Sequence, residues 1–229
     1  MRTVICWKAT VVLLMLLAVA AGCNGLAGIG GGKKMPLLFE ADFEDGRIGD
    51  WQATDPAAWQ IEPGHGGKVL ALYKQSDYKP QVRSPFNINL VRDVVVGSFV
   101  LELKMRSTTK DYGHRDMCLI FGHQDPLHFY YVHIANKSDA HANSIFIVDG
   151  EPRISIAKTR TEGTKWDDNW HTVHLVRNAE EGTIEVFFDD GPEPIMTAVD
   201  NRFEWGRVGV GSFDDTGQFD NVKLWGEER

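Results

Sequence analysis

The chain has 229 residues, with 24 basic and 32 acidic side chains and 43% apolar residues. That length allows one sizeable core, and the acidic balance, dispersed rather than blocked, argues against nucleic acid as a partner. It also disfavours a strongly anionic polysaccharide unless a local basic patch overrides it.

The N-terminus reads as an export signal. Arg2 and Lys8 supply a positive start, and Ala9 to Ala21 is an apolar run too short to span a bilayer comfortably. It ends in Val19-Ala20-Ala21-Gly22-Cys23, which resembles the bacterial lipoprotein signal box. The resemblance implies lipidation of Cys23, with Ala20 standing where that family prefers leucine. The alternative is an ordinary secretory signal cut near the same place. Residues 1–22 are thus a signal, and 23–34 a glycine-rich tether without apolar periodicity. Residues 35–229 remain as a single domain. Removing Arg2 and Lys8 leaves 22 basic against 32 acidic residues, a formal charge of −10. Cys6 leaves with the signal and Cys118 lies in an apolar run, so no disulfide framework is available.

From Leu37 the pattern is short strands with turn punctuation. Leu37 to Phe43 is followed by a turn at Glu44-Asp45-Gly46, and Val69 to Tyr73 reads as a strand. Pro80 and Pro85 bracket a segment expected at a sheet edge. Ser98 to Arg106 alternates, with Phe99, Leu101, Leu103 and Met105 on one side and Glu102, Lys104 and Arg106 on the other. Met117 to Phe121 is continuously apolar. His128 to Ala135, Ser144 to Val148 and Arg153 to Ala157 follow. Trp170 to Arg177 then turns at Glu181-Gly182 into Thr183 to Asp189, and Gly206 to Phe213 and Phe219 to Trp225 close the chain. This pattern predicts an all-β, two-sheet antiparallel sandwich.

Trp170-His171-x-Val173-x-Leu175-x-Arg177, followed by Ile184-x-Val186-x-x-Asp189, resembles the signature of laminin G-like domains. Those belong to the concanavalin A-like lectin/glucanase superfamily. Ser98 to Arg106 is similar to that family's preceding strand, and Glu40 to Gly46 and Phe219 to Trp225 resemble its paired terminal strands. The resemblance covers roughly residues 37–226 and implies a concanavalin A-like jelly roll. It does not single out a function, because the superfamily holds lectins, glycosidases, lyases and adhesion modules. It also implies a structural calcium at Asp220, with Asp42, Glu44 and the Gly46 carbonyl as further oxygen ligands. The alternative is that Asp220 only ties down a turn.

Four of the eight histidines, His123, His128, His133 and His141, fall within nineteen residues. The Glu-x-Asp-x-x-Glu strand of retaining glucanases is absent, and Glu185 to Asp190 has the wrong spacing for a carboxylate pair about 5–5.5 Å apart. His128 and His133 are an odd number of residues apart, so they point to opposite faces of one strand and do not share a metal. His171 and His174 split likewise. Parity puts Tyr130, Val132 and Ile134 towards the other sheet. Phe129, Tyr131 and His133 then line an open, concave face, with His141, Asn143, Arg115 and Asp116 contributed by the flanking strands. Such a face suits sugar rings, with their C–H faces and hydroxyl rims. The same residues would serve a polysaccharide lyase, with His133 or Tyr131 as base and Arg115 neutralising a carboxylate. Trp170 and His171 read as core and turn fixtures, Arg153 and Arg160 as surface charges, and Trp166-Asp167-Asp168 as a loop that could edge a groove. The expected function is glycan recognition at a cell surface through a lipid anchor. The alternatives are a carbohydrate-active enzyme and a laminin G-type adhesion module.

Overall fold

A computed structural model describes residues 35–64 and 66–229. The signal, the tether and Cys23 lie outside the described residues. In chain order the strands are β1 (Leu37–Ala41), β2 (Trp51–Ala53), β3 (Trp59–Gly64), β4 (Gly67–Leu72), β5 (Asn87–Val91), β6 (Val96–Ser107), β7 (Asp116–Asp125) and β8 (His128–Ala135). They continue with β9 (Ser144–Asp149), β10 (Ile154–Ser155), β11 (Ala157–Arg160), β12 (His171–Asn178), β13 (Thr183–Phe188), β14 (Met196–Val199), β15 (Arg207–Ser212) and β16 (Gly217–Glu228). One short 3-10 turn, Pro56–Ala58, interrupts them.

The strands form two antiparallel sheets. A seven-stranded sheet runs β10-β9-β8-β7-β15-β5-β2. A nine-stranded sheet runs β11-β14-β13-β12-β6-β16-β4-β3, with β1 added along β16. The expected jelly-roll sandwich is the observed one. Alternation in the sequence decides what each strand buries. On β6, Phe99, Leu101, Leu103 and Met105 enter the main core, while Glu102 faces outward and meets His174 Nε2 at 3.1 Å. On β8, Tyr130, Val132 and Ile134 enter the same core. Each such aliphatic or aromatic side chain contributes about 1.5–3 kcal/mol on leaving water. The β12–β13 hairpin turns at Gly182, whose φ of +75° favours glycine.

A second apolar cluster lies on the other side of the seven-stranded sheet. Ile88, Leu90, Cys118, Ile120, Phe129, Tyr131, Phe146 and Val148 point away from the main core, yet all are buried. Their cover is the connection from β4 to β5. Val82 packs onto the cluster. Ser76 donates its amide to Asn87 Oδ1, and Phe86 donates to the Phe213 carbonyl. The segment between Pro80 and Pro85 is therefore a lid over the sheet's outer face rather than an edge strand. Two prolines suit it, since a covering segment needs few ladder hydrogen bonds.

Candidate functional site

Parity correctly places Phe129, Tyr131 and His133 on the outer face of the seven-stranded sheet, but that face is not open around them. Tyr131 is 0% exposed and His133 4%. The sequence shows which face a side chain takes, whereas burial depends on a lid that arrives from about fifty residues away. Arg153, immediately before β10, closes the surface above them. Its guanidinium lies 4.5 Å from the Phe146 ring centre and 4.3 Å from that of Phe213, donates to the Tyr131 hydroxyl, and reaches the His141 carbonyl at 2.7 Å. Arg153 also donates its amide to the Arg83 carbonyl of the lid. It is a keystone, not the ordinary surface charge expected from its context.

Beside Arg153 the ends of β7 and β15 bring acidic groups together. Asp116 opens β7 and is fully buried. Its Oδ2 accepts from the Phe213 amide at 2.7 Å and from Cys118 Sγ at 3.2 Å, and its Oδ1 accepts from Ser212 Oγ at 3.1 Å. Asp215 Oδ2 accepts from the Tyr112 hydroxyl at 2.7 Å and from the Asp116 amide at 2.8 Å. Asp214 is exposed between them. Burial pushes the Asp116 carboxyl up to about 7, helped by the charge of Asp215 and opposed by the Phe213 N–H. Asp214 is raised by burial and then by Asp215, while Arg153, His114 and Arg83 pull it back. His133 is pushed down to about 3 by burial and by Arg153, so its imidazole is neutral. Its Nε2 faces Asp116 Oδ2 at 3.9 Å.

An exposed polar rim surrounds this floor. His114 Nε2 and Asp139 Oδ2 are 2.6 Å apart, His141 is exposed, and Tyr112 stands 40% exposed at the rim. The rim thus presents carboxylates, imidazoles and guanidinium groups beside an aromatic ring. It can donate to and accept from hydroxyl groups, and offers a ring to a C–H face.

The other expected residues lie elsewhere or serve the fold. Arg115 is one residue from Asp116 and so points to the opposite side. Its guanidinium is buried against Trp166, donating to the Trp166 and Thr109 carbonyls and to Asp168 Oδ1. It cannot neutralise a substrate carboxylate on the outer face. Trp166, only 3% exposed, belongs to the core rather than to a groove edge. Asn143 is buried, its Oδ1 accepting from the Ala135 amide and Thr164 Oγ1 and its Nδ2 donating to the Thr161 carbonyl. It pins a loop. His128, at the far end of β8, bonds Asp125 in the β7–β8 hairpin at 2.9 Å. His123 is buried against Phe129, ring centres 5.4 Å apart.

The residues expected to ligate calcium each take part in local hydrogen bonds. Asp42 Oδ1 accepts from the Glu44 amide, Glu44 Oε1 from the Lys68 amide, and Asp220 Oδ1 from the Asn221 amide. Gly46 takes up a tight turn, its amide donating to the Phe43 carbonyl. Among the described residues, the group of acidic ligands whose atoms approach within 4.8 Å of one another is Asp116, Asp214 and Asp215. Sequence reading missed Asp214, Asp215, His114 and Arg153 for this site. The one available signal was the Phe213-Asp214-Asp215 step directly after a glycine-rich strand.

No family model and no curated protein matches the sequence. Solved structures do match the fold. A carbohydrate-binding module, CBM66, from Bacillus subtilis aligns with a TM-score of 0.55 at 18% identity, covering 77% of this chain and 95% of that one. The winged bean acidic lectin complexed with methyl-α-D-galactose aligns at 0.58 and 11% identity, covering 86% and 100%. A xylan β-1,4-xylosidase from Bacillus halodurans aligns at 0.56 and 16%, covering 85% of this chain but 40% of that one. The fold is thus a concanavalin A-like or galectin-like β-sandwich.

Proposed function

We propose that this concanavalin A-like sandwich recognises a carbohydrate, and that it does so at the rim around Arg153. The observation that carries this reading is the Arg153 guanidinium, held between Phe146 and Phe213 and ringed by Asp214, His114, Asp139 and His141. Fixing the guanidinium in advance removes part of the ordering cost of binding. Carbohydrate-binding and lectin structures of the same fold support the assignment of ligand class. Export and anchoring at Cys23 belong to the proposal on the strength of the sequence alone.

The geometry favours binding over hydrolysis or elimination. Asp116 has the raised pKa of a general acid but no exposed surface with which to reach a glycosidic oxygen. Tyr131 is raised well above its ordinary value by burial and is spent on Arg153, which makes it a poor base.

The test is a polysaccharide panel scored for both retention and release of reducing or unsaturated ends. Arg153→Ala and His114→Ala should weaken retention by at least about tenfold and about threefold, the range for losing a charged and a peripheral hydrogen bond. No product should appear. Product from the wild-type chain would make it an enzyme, and retention indifferent to both substitutions would move the binding surface elsewhere.

A further inference from the structure

The rim around Arg153 carries more positive charge than a neutral glycan needs. Arg83 of the lid and Arg153 both lie over the Phe213 ring, their guanidinium carbons 5.8 and 4.3 Å from its centre. Arg160 on β11 donates to the Asp139 carbonyl at 2.7 Å and to the Ala142 carbonyl at 3.3 Å. Arg153 grips the same β8–β9 loop through the His141 carbonyl. These side chains come from separate segments of chain, so only the fold brings them to one rim.

Elsewhere on the surface Arg47, Arg202 and Lys223 each pair with a carboxylate. Among the described residues, Arg83, Arg153 and Arg160 form no such pair. Their partners are backbone carbonyls and ring faces, which orient a guanidinium without neutralising it. The acidic groups close by are held by other partners. Asp139 meets His114 at 2.6 Å, and Asp215 accepts from the Tyr112 hydroxyl and the Asp116 amide. Asp116 lies buried beneath, its carboxyl raised to about 7, so part of its charge is lost at neutral pH. Asp214 stays exposed and opposes the guanidinium groups, which pull its pKa down against burial.

We infer that the saccharide, within the carbohydrate-binding role proposed above on which this rests, is a uronate: its carboxylate meets Arg83 and Arg153, and Arg160 extends the positive edge. A guanidinium offers parallel N–H donors that match the two oxygens of a planar carboxylate. The chain's net negative charge opposes an anionic polymer at long range. Exposed charges more than about 8 Å apart are largely screened at physiological salt, so the local cluster decides.

The experiment uses the full chain with polygalacturonate, alginate and glucuronoxylan, each beside its carboxyl-reduced form. Dextran and dextran sulfate serve as neutral and sulfated references. At least one uronate polymer should be retained about tenfold more tightly than its reduced form, and less so as salt rises. Arg83→Gln and Arg160→Gln should each weaken that retention about threefold to tenfold. Both residues are exposed, so Tm should stay close to wild type. Equal retention of a polymer and its reduced form would overturn the uronate and leave the carbohydrate reading standing. Dextran sulfate held as tightly as the best uronate, with the same dependence on Arg83, would overturn the carboxylate as the group selected. Uronate retention indifferent to both substitutions would overturn the arginine site, and no retention of any polymer would overturn both readings.

Discussion

His123 shows how one buried titratable ring makes stability depend on pH. It is 6% exposed, its Nδ1 has no partner, and burial followed by the nearby Arg207 charge pushes its pKa down to about 4. The unfolded value is about 6.5. A depressed histidine favours folding above the unfolded pKa and loses that contribution as pH falls towards the folded one. The chain should therefore lose about 1–3 kcal/mol through His123 between pH 7 and pH 4. His133, down to about 3, has the same sign, whereas Asp116, up to about 7, has the opposite sign and favours the fold below about pH 4. Urea unfolding of His123→Phe against wild type isolates one group, because the shared groups cancel in the difference. The difference should shift in the variant's favour as pH falls, and a difference that is flat with pH would show His123 titrating normally. The position of this ring was not legible in the sequence. Strict alternation sends His123 inward, but Gly122 at φ +56° sits where the β7–β8 and β7–β15 registers both shift. That bulge carries His123 to the outer face beside Phe129.

At the scale of elements, the regular strands were readable and the segments that tie them together were not. The inward set on β8 followed from period two, but alternation says nothing of what Tyr130 does with its hydroxyl. That hydroxyl donates to Asp200 Oδ1 at 2.5 Å and accepts from the Phe203 amide at 3.0 Å. Burial, with the Asp200 hydrogen bond second, raises its pKa above the ordinary tyrosine value. Arg202 holds Asp200 from the other side at 2.6 Å. A central strand is thereby fastened to the connection between β14 and β15. Tyr130→Phe keeps the ring stack on Phe121 but leaves a buried amide and a half-buried carboxylate without that partner. The expected cost is about 1–3 kcal/mol in chemical denaturation. Faster hydrogen exchange should be confined to residues 200–206. A loss below about 0.5 kcal/mol would mean that water replaces the hydroxyl there. The candidate site obeys the same logic: Asp116 was picked out from its strand, but Asp214 and Asp215 join it only through the β7–β15 pairing, a contact separated by about a hundred residues of chain.

Over the whole molecule, the outer face of the seven-stranded sheet is a second hydrophobic layer rather than an open groove, and this decides where a ligand can bind. Two sheets with one core between them would leave Ile88, Ile120, Phe129, Tyr131, Phe146 and Val148 in water, a contiguous apolar patch of the kind that drives association. The β4–β5 connection removes that patch. It is anchored at its ends by Ser76 and Phe86 and in its middle by Val82. With that cover in place, the exposed polar groups gather at the Arg153 end. Val82→Asp tests whether the cover is a separable layer. A carboxylate forced against the apolar cluster should release the segment at a cost of about 1–3 kcal/mol, the penalty for burying a polar group without a partner. The main core, on the opposite side of the sheet, should stay packed. Binding of a hydrophobic dye should rise well below the unfolding transition, and amide exchange should accelerate in residues 76–86 but not in β6, β12 or β16. If exchange accelerates everywhere together, the two apolar layers fold as one unit, and the lid is as much a part of the sandwich as its strands. If neither signal changes, Val82 is not what holds the lid, and the hydrogen bonds of Ser76, Arg83 and Phe86 carry it.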